Sequence, residues 1–313
     1  MCLCAAGWLA LAAQLPASET SGTSGFSFLN LPVGARATAM GQAFTSVPND
    51  VQGLPYNPAG LASMTASQLS FQHLSYVENV DQEGASFGHA GRTEEMSWGL
   101  SANYLRVGDI TRTLSTGLST GDGFTETGSF STYDMALGAS AAGPVMDDLK
   151  AGGTVKFIRE SLSDASASAG AVDAGILYRL NDEHSWNVGV SLLNFGVASR
   201  FADAAVKLPS TIRAGISGQP FPQWLISTDF VKRVDTSGEA DIGIEVNPHR
   251  MVSFRMGYRY ARTRPDLGGL SDFSAGMGLR YNSMSFDYAF IPLGDLGITH
   301  RITVNYRFKP KGD

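Results

Sequence analysis

The chain has 313 residues and a formal net charge of −6, from 23 Lys and Arg against 29 Asp and Glu. Charged residues make up 17% of the chain, below the roughly 25% of ordinary soluble domains, and the 43% of apolar residues excludes a disordered chain. The slight excess of acid argues against nucleic acid as a partner, because nucleic-acid binding needs clustered lysine and arginine.

Residues 1–18 are predicted to form a secretory signal peptide, because an apolar run over residues 2–15 is followed by small residues. Both cysteines, Cys2 and Cys4, lie in this run, so we expect an exported chain with no disulfide and no cysteine-based metal site. No later stretch reaches the 18 or so apolar residues of a membrane-spanning helix. The remaining choices are a soluble β-protein and a membrane β-barrel.

Residues 19–65 show no strand-like alternation. Small residues cluster between Gly34 and Phe44, where a short packed helix is expected. Asn57 suits the N-cap of a second helical turn and Pro58 suits its first position. About 40 such residues ahead of a barrel are predicted to fold inside it as a hatch or plug.

From about residue 66 to residue 308 apolar and polar residues alternate with period 2, which is typical of strands with unlike faces. In the last such segment, Ile302, Val304, Tyr306 and Phe308 alternate with Arg301, Thr303, Asn305 and Arg307. About 14 segments of this kind, each about 10 residues long, predict a transmembrane antiparallel β-barrel, an all-β fold. Residues 309–313 are left as a C-terminal tail.

The connections between these segments alternate between short turns and longer loops. That alternation is typical of outer-membrane barrels, whose turns face the periplasm and whose loops face outward. We therefore expect a bacterial outer-membrane protein with both termini in the periplasm. The longest connection, residues 108–129, and residues 196–207 are predicted to be external loops.

A soluble β-sandwich also alternates, with its apolar face as a core. Fourteen strands are too many for one ordinary sandwich, and the export signal and the aromatic residues near strand ends fit a barrel in outer-membrane lipid.

The polar face of the predicted strands carries charges of both signs, which a barrel would turn toward its lumen. Burying them unpaired would be costly, so we expect ion pairs between neighbouring strands or with the plug. This pattern serves either a structural polar network or a selectivity filter. The predicted lumen charges are Arg213, Asp229, Glu245, Arg255, Arg259 and Asp287.

The five histidines have no metal-ligand spacing, and the chain has no GxSxG elbow and no phosphate-binding loop. We therefore expect no enzyme activity, no metal site and no cofactor.

The N-terminal segment and the last strand resemble the PorV/PorQ family of outer-membrane proteins. The matching residues are Phe28-Leu29, Gly34-Ala35-Arg36, Ala39-Met40-Gly41, Ala43-Phe44, Asp50 and Asn57-Pro58-Ala59-Gly60-Leu61, with Gly297 to Phe308 at the other end. The resemblance implies a FadL-like barrel of 14 strands with an N-terminal hatch. Within that hatch, Asn57, Pro58 and Ala59 match the hatch motif, and Arg36 and Met40 match the helix before it.

Two functions follow from the resemblance. The first is a scaffold or cargo-handling component of type IX-like secretion, with the C-terminal domains of secreted cargo or a surface-exposed secretion component as partners. The second is a FadL-like channel that takes up or exports hydrophobic small molecules. Charges of both signs on the lumen face favour the first function, whereas a lateral gap or a kink next to an apolar pocket would favour the second.

Overall fold

The structure is a computed structural model that describes residues 24–76, 79–91, 95–115, 123–163, 165–181, 184–199, 206–261 and 270–309. The predicted signal peptide and most of the predicted C-terminal tail lie outside these residues.

Fourteen antiparallel strands close into a barrel in sequence order, with the first strand paired to the last. The predicted fold class is therefore confirmed. The strands are β1 Gln68–Ser75, β2 Val80–His89, β3 Ser97–Ser115, β4 Phe124–Pro144, β5 Leu149–Leu162, β6 Ala165–Asn181, β7 Trp186–Ala198, β8 Thr211–Phe221, β9 Trp224–Arg233, β10 Gly238–His249, β11 Val252–Ala261, β12 Phe273–Tyr281, β13 Met284–Pro292 and β14 Ile298–Arg307.

The outer face of the barrel is apolar and exposed, while the inner face is polar and buried. Large side chains left open on the outside include Phe71, Leu100, Phe157, Ile176, Phe254, Met256, Phe286 and Val304. An exposed apolar surface that follows the strands around a closed barrel is the surface that lipid covers. Within the described residues, none of the helices has the length and apolar character to cross a bilayer.

The two rims differ in the length of their connections. Turns such as 221–224, 249–252 and 281–284 form the short-turn rim, and the connections from β7 to β8 and from β11 to β12 belong to the long-loop rim. The prediction of one long loop over residues 108–129 is wrong in part, because β3 continues to Ser115 and β4 begins at Phe124. These two strands are 19 and 21 residues long and extend beyond the other strands at the long-loop rim.

The N-terminal segment, residues 24–66, runs through the inside of the barrel. Ser24 forms a parallel bridge with Lys207 near the long-loop rim, and the segment reaches β1 at the short-turn rim. It contains one α-helix, α1 Ala35–Ala39, and three 3-10 turns at Ser27–Asn30, Val51–Gly53 and Pro58–Ser63.

The core of the protein lies between this segment and the inner wall. Met40, Phe44, Tyr56 and Leu225 form one buried cluster, and the rings of Phe44 and Tyr56 meet with centroids 5.8 Å apart. Other clusters form where the segment meets β4 and where it meets β13. Apolar burial therefore takes place inside the lumen, since the outside of the barrel has nothing to pack against.

Candidate functional site

Arg213 and Asp229, on neighbouring strands β8 and β9, bind the same turn of the N-terminal segment. Asp229 Oδ2 accepts hydrogen bonds from the backbone amides of Phe44 and Thr45, each at 3.0 Å, and from the Thr45 hydroxyl at 2.6 Å. Arg213 donates to the same carboxylate oxygen at 3.0 Å and to the Gln42 carbonyl at 2.6 Å. Both side chains are almost fully buried, so each compensates the desolvation of the other.

A second ion-pair network joins the segment to strands β10, β11 and β13 of the wall. Arg36 on α1 donates from Nε to Glu245 at 2.7 Å and from Nη1 to Asp50 at 2.8 Å. Arg255 donates to Glu245 at 2.6 Å and to Asp287 at 2.7 Å. Burial alone would lower the pKa of Arg36, but the charges of Glu245 and Asp50 outweigh burial and raise it above its ordinary value.

The remaining predicted lumen charge, Arg259, lies on β11 beside the first network. Its Nε is 3.9 Å from Asp241 Oδ1, which is close enough for attraction but too far for a hydrogen bond. Arg213 also donates to Asp241, at 3.3 Å. The structure thus brings Arg213, Asp229 and Arg259 together through Asp241, and it brings Glu245, Arg255 and Asp287 together with Arg36.

Arg301 on β14 is the largest side chain in the fully buried part of the protein. It donates to the Pro32 carbonyl, to the Thr38 hydroxyl at 3.0 Å and to Gln82 at 3.3 Å. Its partners within the described residues are neutral, so its role is to hold the loop before α1 against the wall.

The Asn-Pro-Ala motif holds the second bend of the segment. Asn57 is the N-cap of the Pro58–Ser63 turn, where its side-chain oxygen accepts from the Ala59 amide at 3.0 Å, and the predicted helical start is thus present. Its side-chain nitrogen donates to the carbonyl of Thr45 at 2.8 Å and to that of Ile176 at 2.9 Å. One asparagine therefore ties the turn to the segment and to β6.

The other predicted motif residue, Met40, is buried where the segment touches the wall most closely. Gly243 on β10 and Gly257 on β11 are paired across the sheet, and a Cβ on either would collide with the backbone or side chain around Met40 and Gly41. Gly41 itself has a φ of 63°, the left-handed region that favours glycine. Sequence reasoning missed these wall glycines, although both sit on the polar, inward phase of their strands.

The inner wall is not equally polar all round. On strands β3 to β6, toward the long-loop rim, inward-facing apolar side chains meet Phe26 and Phe28 of the segment. The wall residues of this cluster are Leu105, Ala136, Ile158, Ala167, Ala169 and Ala171. The buried ion pairs described above lie instead on strands β8 to β13.

A cavity lies between this apolar cluster and the charged half of the lumen. It encloses about 850 Å³ of empty space, part of it open to solvent. Its apolar wall includes Phe28, Leu29, Leu31, Ala136 and Leu193, and its polar wall includes Asn103, Lys156, Asp173 and Arg213. Tyr56 also lines it, and because burial raises the pKa of its phenol, the group stays neutral and donates to the Val33 carbonyl at 3.0 Å.

The barrel wall is interrupted next to this cavity. The register between β6 and β7 shifts at Asp173, and Asn194 on β7 has a φ of 60°. The Asn194 amide donates to the Asp173 carboxylate at 2.8 Å instead of to a strand carbonyl. A β-bulge of this kind bends the strand and leaves a residue unpaired. The bulge at Asn194 was not predicted from the sequence. Asn tolerates the left-handed region, but an Asn within a strand does not by itself indicate a bulge.

The pairing of β7 with β8 ends at the same level. Leu193 pairs with Thr211, whereas β7 continues to Ala198. Beyond Leu193, β7 and the residues just before β8 are joined by side-chain hydrogen bonds. The Ser210 hydroxyl donates to the Asn194 carbonyl at 3.0 Å, and the Asn194 side-chain nitrogen donates to the Pro209 carbonyl at 3.4 Å. Among the residues that the structure describes here, the wall beside the cavity is therefore joined through Asn194, Pro209 and Ser210 and not by a continuous ladder.

The described residues contain no group of three His, Cys, Asp or Glu side chains placed to hold a metal ion. The arrangement is a cavity with one apolar wall and one polar wall, next to the point where the pairing of β7 with β8 ends.

Comparison with known proteins gives one family and one fold. The profile of a family described as "Uncharacterised protein family (UPF0164)" matches residues 6–243. A curated relative from Treponema pallidum (strain Nichols), named UPF0164 protein, is 36% identical over 73 residues. Those residues are 23% of this chain and 21% of the relative, so the match spans about a fifth of the relative's length.

Three solved barrels share the fold. The toluene transporter TbuX of Ralstonia pickettii has a TM-score of 0.61 at 15% identity, over 90% of this chain and 100% of that one. The toluene transporter TodX of Pseudomonas putida has a TM-score of 0.54 at 15% identity, over 92% and 98%. A FadL homologue of Pseudomonas aeruginosa has a TM-score of 0.53 at 12% identity, over 94% and 99%. At these identities the likeness shows the shared barrel fold alone.

Proposed function

The chain belongs to the uncharacterised protein family UPF0164, and we propose that it is an outer-membrane channel that passes hydrophobic small molecules. The observation that carries this proposal is the cavity with an apolar wall beside the interrupted pairing of β7 and β8. The two named transporters that share the fold are toluene transporters. With this fold we propose an outer-membrane location and a short-turn rim in the periplasm.

The charges of the lumen do not oppose a hydrophobic passage. From the sequence alone, charges of both signs on the lumen face argue against an apolar tunnel and so favour a secretion role. In the structure most of them are used in bonds to each other and to the N-terminal segment on strands β8 to β13. Toward the long-loop rim, the inner face of β3 to β6 carries an apolar patch against Phe26 and Phe28, and the charges on the same strands that line the cavity, Lys156 and Asp173, are paired with each other at 2.7 Å.

Dye uptake by whole cells tests the proposal. A Gram-negative host that expresses the chain is compared with the empty host for uptake of 1-N-phenylnaphthylamine, a fluorescent apolar dye. We expect faster uptake with the chain, and a severalfold loss of that gain in Ala136→Trp, which fills the cavity from β4. Ala139→Trp adds the same side chain on the outer face of β4 and is expected to behave as wild type. Uptake equal to that of the empty host, or equal uptake by both variants, would contradict the proposal.

The scaffold role in type IX-like secretion, and membership of the PorV/PorQ family, gain no support from the family match or from the solved barrels. The binding surface for that role would be the external loops, whose residues 116–122 and 200–205 lie outside the described residues. A pulldown of the detergent-extracted barrel from its native membrane separates the two functions. Stoichiometric surface proteins with a shared C-terminal β-domain would favour secretion, whereas a barrel recovered alone with an apolar molecule would favour the channel.

A further inference from the structure

A second cavity opens at the short-turn rim, on the opposite side of the lumen from the apolar wall. It encloses about 740 Å³ of empty space, part of it open to solvent. Strands β11 to β14 form one side and the N-terminal segment forms the other. Its lining contains more polar than apolar residues and includes four arginines, Arg36, Arg255, Arg280 and Arg307.

The carboxylates that face this cavity are already bound. Asp50 accepts from Arg36 at 2.8 Å and from the Gln52 amide at 2.9 Å. Asp287 accepts from Arg255 at 2.7 Å and from Asn305 at 2.8 Å. Glu245, which lies behind them, is shared between Arg36 and Arg255. No carboxylate at the cavity is left for another cation.

Within the part of the chain that the structure describes, Arg280 and Arg307 are the two arginines at this cavity with no carboxylate at ion-pair distance, although the negative charge of Asp50 acts on Arg307. They lie on β12 and β14, on either side of β13, and both point to the inner face. Arg280 is opposite Ser285, Ser285 is opposite Asn305, and Arg307 is two residues beyond Asn305. Strands two apart in a sheet are about 10 Å from each other, a gap that two extended guanidinium groups can close around one small ligand.

We infer that this cavity is a binding site for a small oxyanion, a carboxylate or a phosphate, held between Arg280 and Arg307. The guanidinium fork matches the oxygens of both groups in a bidentate manner. Two like charges beside the already paired Arg36 and Arg255 repel each other, and an anion between them removes that repulsion. Ser283, in the turn that joins β12 to β13, adds a hydroxyl donor to the same lining.

The site is distinct from the apolar cavity in position and in chemistry. The two cavities have no lining residue in common, and the second lies near the turn 281–284 at the rim where the chain enters β1. Binding of an oxyanion here does not depend on the proposed passage of hydrophobic molecules.

Isothermal titration calorimetry of the full-length barrel in a neutral detergent tests the inference, with inorganic phosphate and acetate as separate probes. We expect saturable binding of at least one probe at one site per barrel, weakened by added sodium chloride because the arginines are partly open to solvent. Arg280→Gln and Arg307→Gln are each expected to weaken binding about tenfold, which corresponds to about 1.4 kcal/mol. Phosphate alone, acetate alone or both would identify the class of oxyanion that fits.

Arg179→Gln is the matched control, because it removes the same charge from the same rim on β6, across the barrel, where Arg179 pairs with Asp148. It should bind the probe as wild type does. Arg280→Lys with Arg307→Lys keeps the charge without the fork and is expected to bind more weakly than wild type but more tightly than the double Gln variant. The inference is overturned if neither probe shows saturable binding, or if the double Gln variant binds as tightly as wild type.

Discussion

Single buried side chains attach the N-terminal segment to the wall, and Arg213 is one of them. It bonds to the Gln42 carbonyl, the Thr45 hydroxyl and two carboxylates, and its guanidinium lies 5.2 Å from the centre of the Tyr56 ring. A buried ion pair adds little net stability compared with apolar residues, but removal of one partner leaves an uncompensated charge. Such residues therefore fix one arrangement of the segment and penalise every other.

Arg213→Met is expected to lower the free energy of unfolding by about 3–5 kcal/mol, the usual cost of leaving buried carboxylates without their partner. Unfolding in urea, followed in detergent by the heat-dependent mobility of the barrel on gels, measures the loss. Arg179→Met breaks the exposed pair with Asp148, in which about half of each side chain is open to solvent, and should cost less than about 1 kcal/mol. Equal losses in the two variants would show that Arg213 is not a buried anchor.

Gly257→Ala is expected to displace the segment without disturbing the strand, because the added Cβ would meet the backbone of Gly41. Limited digestion with trypsin followed by mass spectrometry measures this, since Arg36 is protected by its position inside the barrel. We expect cleavage after Arg36 to become severalfold faster. Gly170→Ala on β6 is the control, because a Cβ there meets nothing within 4 Å. If both variants are cleaved at the wild-type rate, the close approach at Gly257 is not needed to hold the segment.

At the scale of elements, period-2 alternation predicts a strand well where one of its faces is apolar and turns outward and the other is polar and turns toward the lumen. All fourteen predicted segments contain a strand. The ends of β3 and β4 were not predicted because residues 108–115 and 124–129 are rich in Thr, Ser and Gly. Apolar residues are sparse there, with Ile110, Leu114 and Phe124 among them, so the alternation that marks a strand is weak even though the ladder continues.

The candidate site could be predicted less completely. The sequence places Asp229 and Arg213 on the polar phase of their strands, but it does not show that both meet the turn at Thr45, more than 160 residues earlier. Such long-range contacts depend on how the N-terminal segment lies inside the closed barrel. The local sequence pattern carries no information on that arrangement. The bulge at Asn194 is of the same kind, because the partners of its hydrogen bonds lie on two other strands, β5 and β6, and in the connection before β8.

Deletion of residues 24–64 is expected to open the lumen, because the segment fills the interior between β4, β9 and β13. Single-channel recording in planar lipid bilayers compares the two proteins. We expect low conductance for the full chain and steps several times larger for the truncated one. Deletion of residues 116–122, between β3 and β4, serves as a control that leaves the segment in place. Equal conductance of the full and truncated chains would mean that the segment does not block the lumen.

For the molecule as a whole, the outer surface predicts contact with lipid chains. Trp98 and Trp224 lie on this surface with 45% and 40% of their area exposed. In single-tryptophan variants reconstituted into vesicles, phospholipids with brominated acyl chains should quench both residues strongly. Phe28→Trp, which puts the tryptophan inside the barrel in the same background, should be quenched little. Equal quenching of inner and outer tryptophans would contradict a barrel set in the bilayer.

The pairing of β1 with β14 has a consequence for assembly. The first and last strands lie almost at opposite ends of the chain, and their eight residue pairs are the final seam of the barrel. Once the seam is made, the segment that precedes β1 has crossed the interior to reach Lys207 on the far side, and a finished cylinder offers no easy way to thread it there. We therefore expect the wall to wrap around the segment as it forms, with the interior contacts as a template for closure.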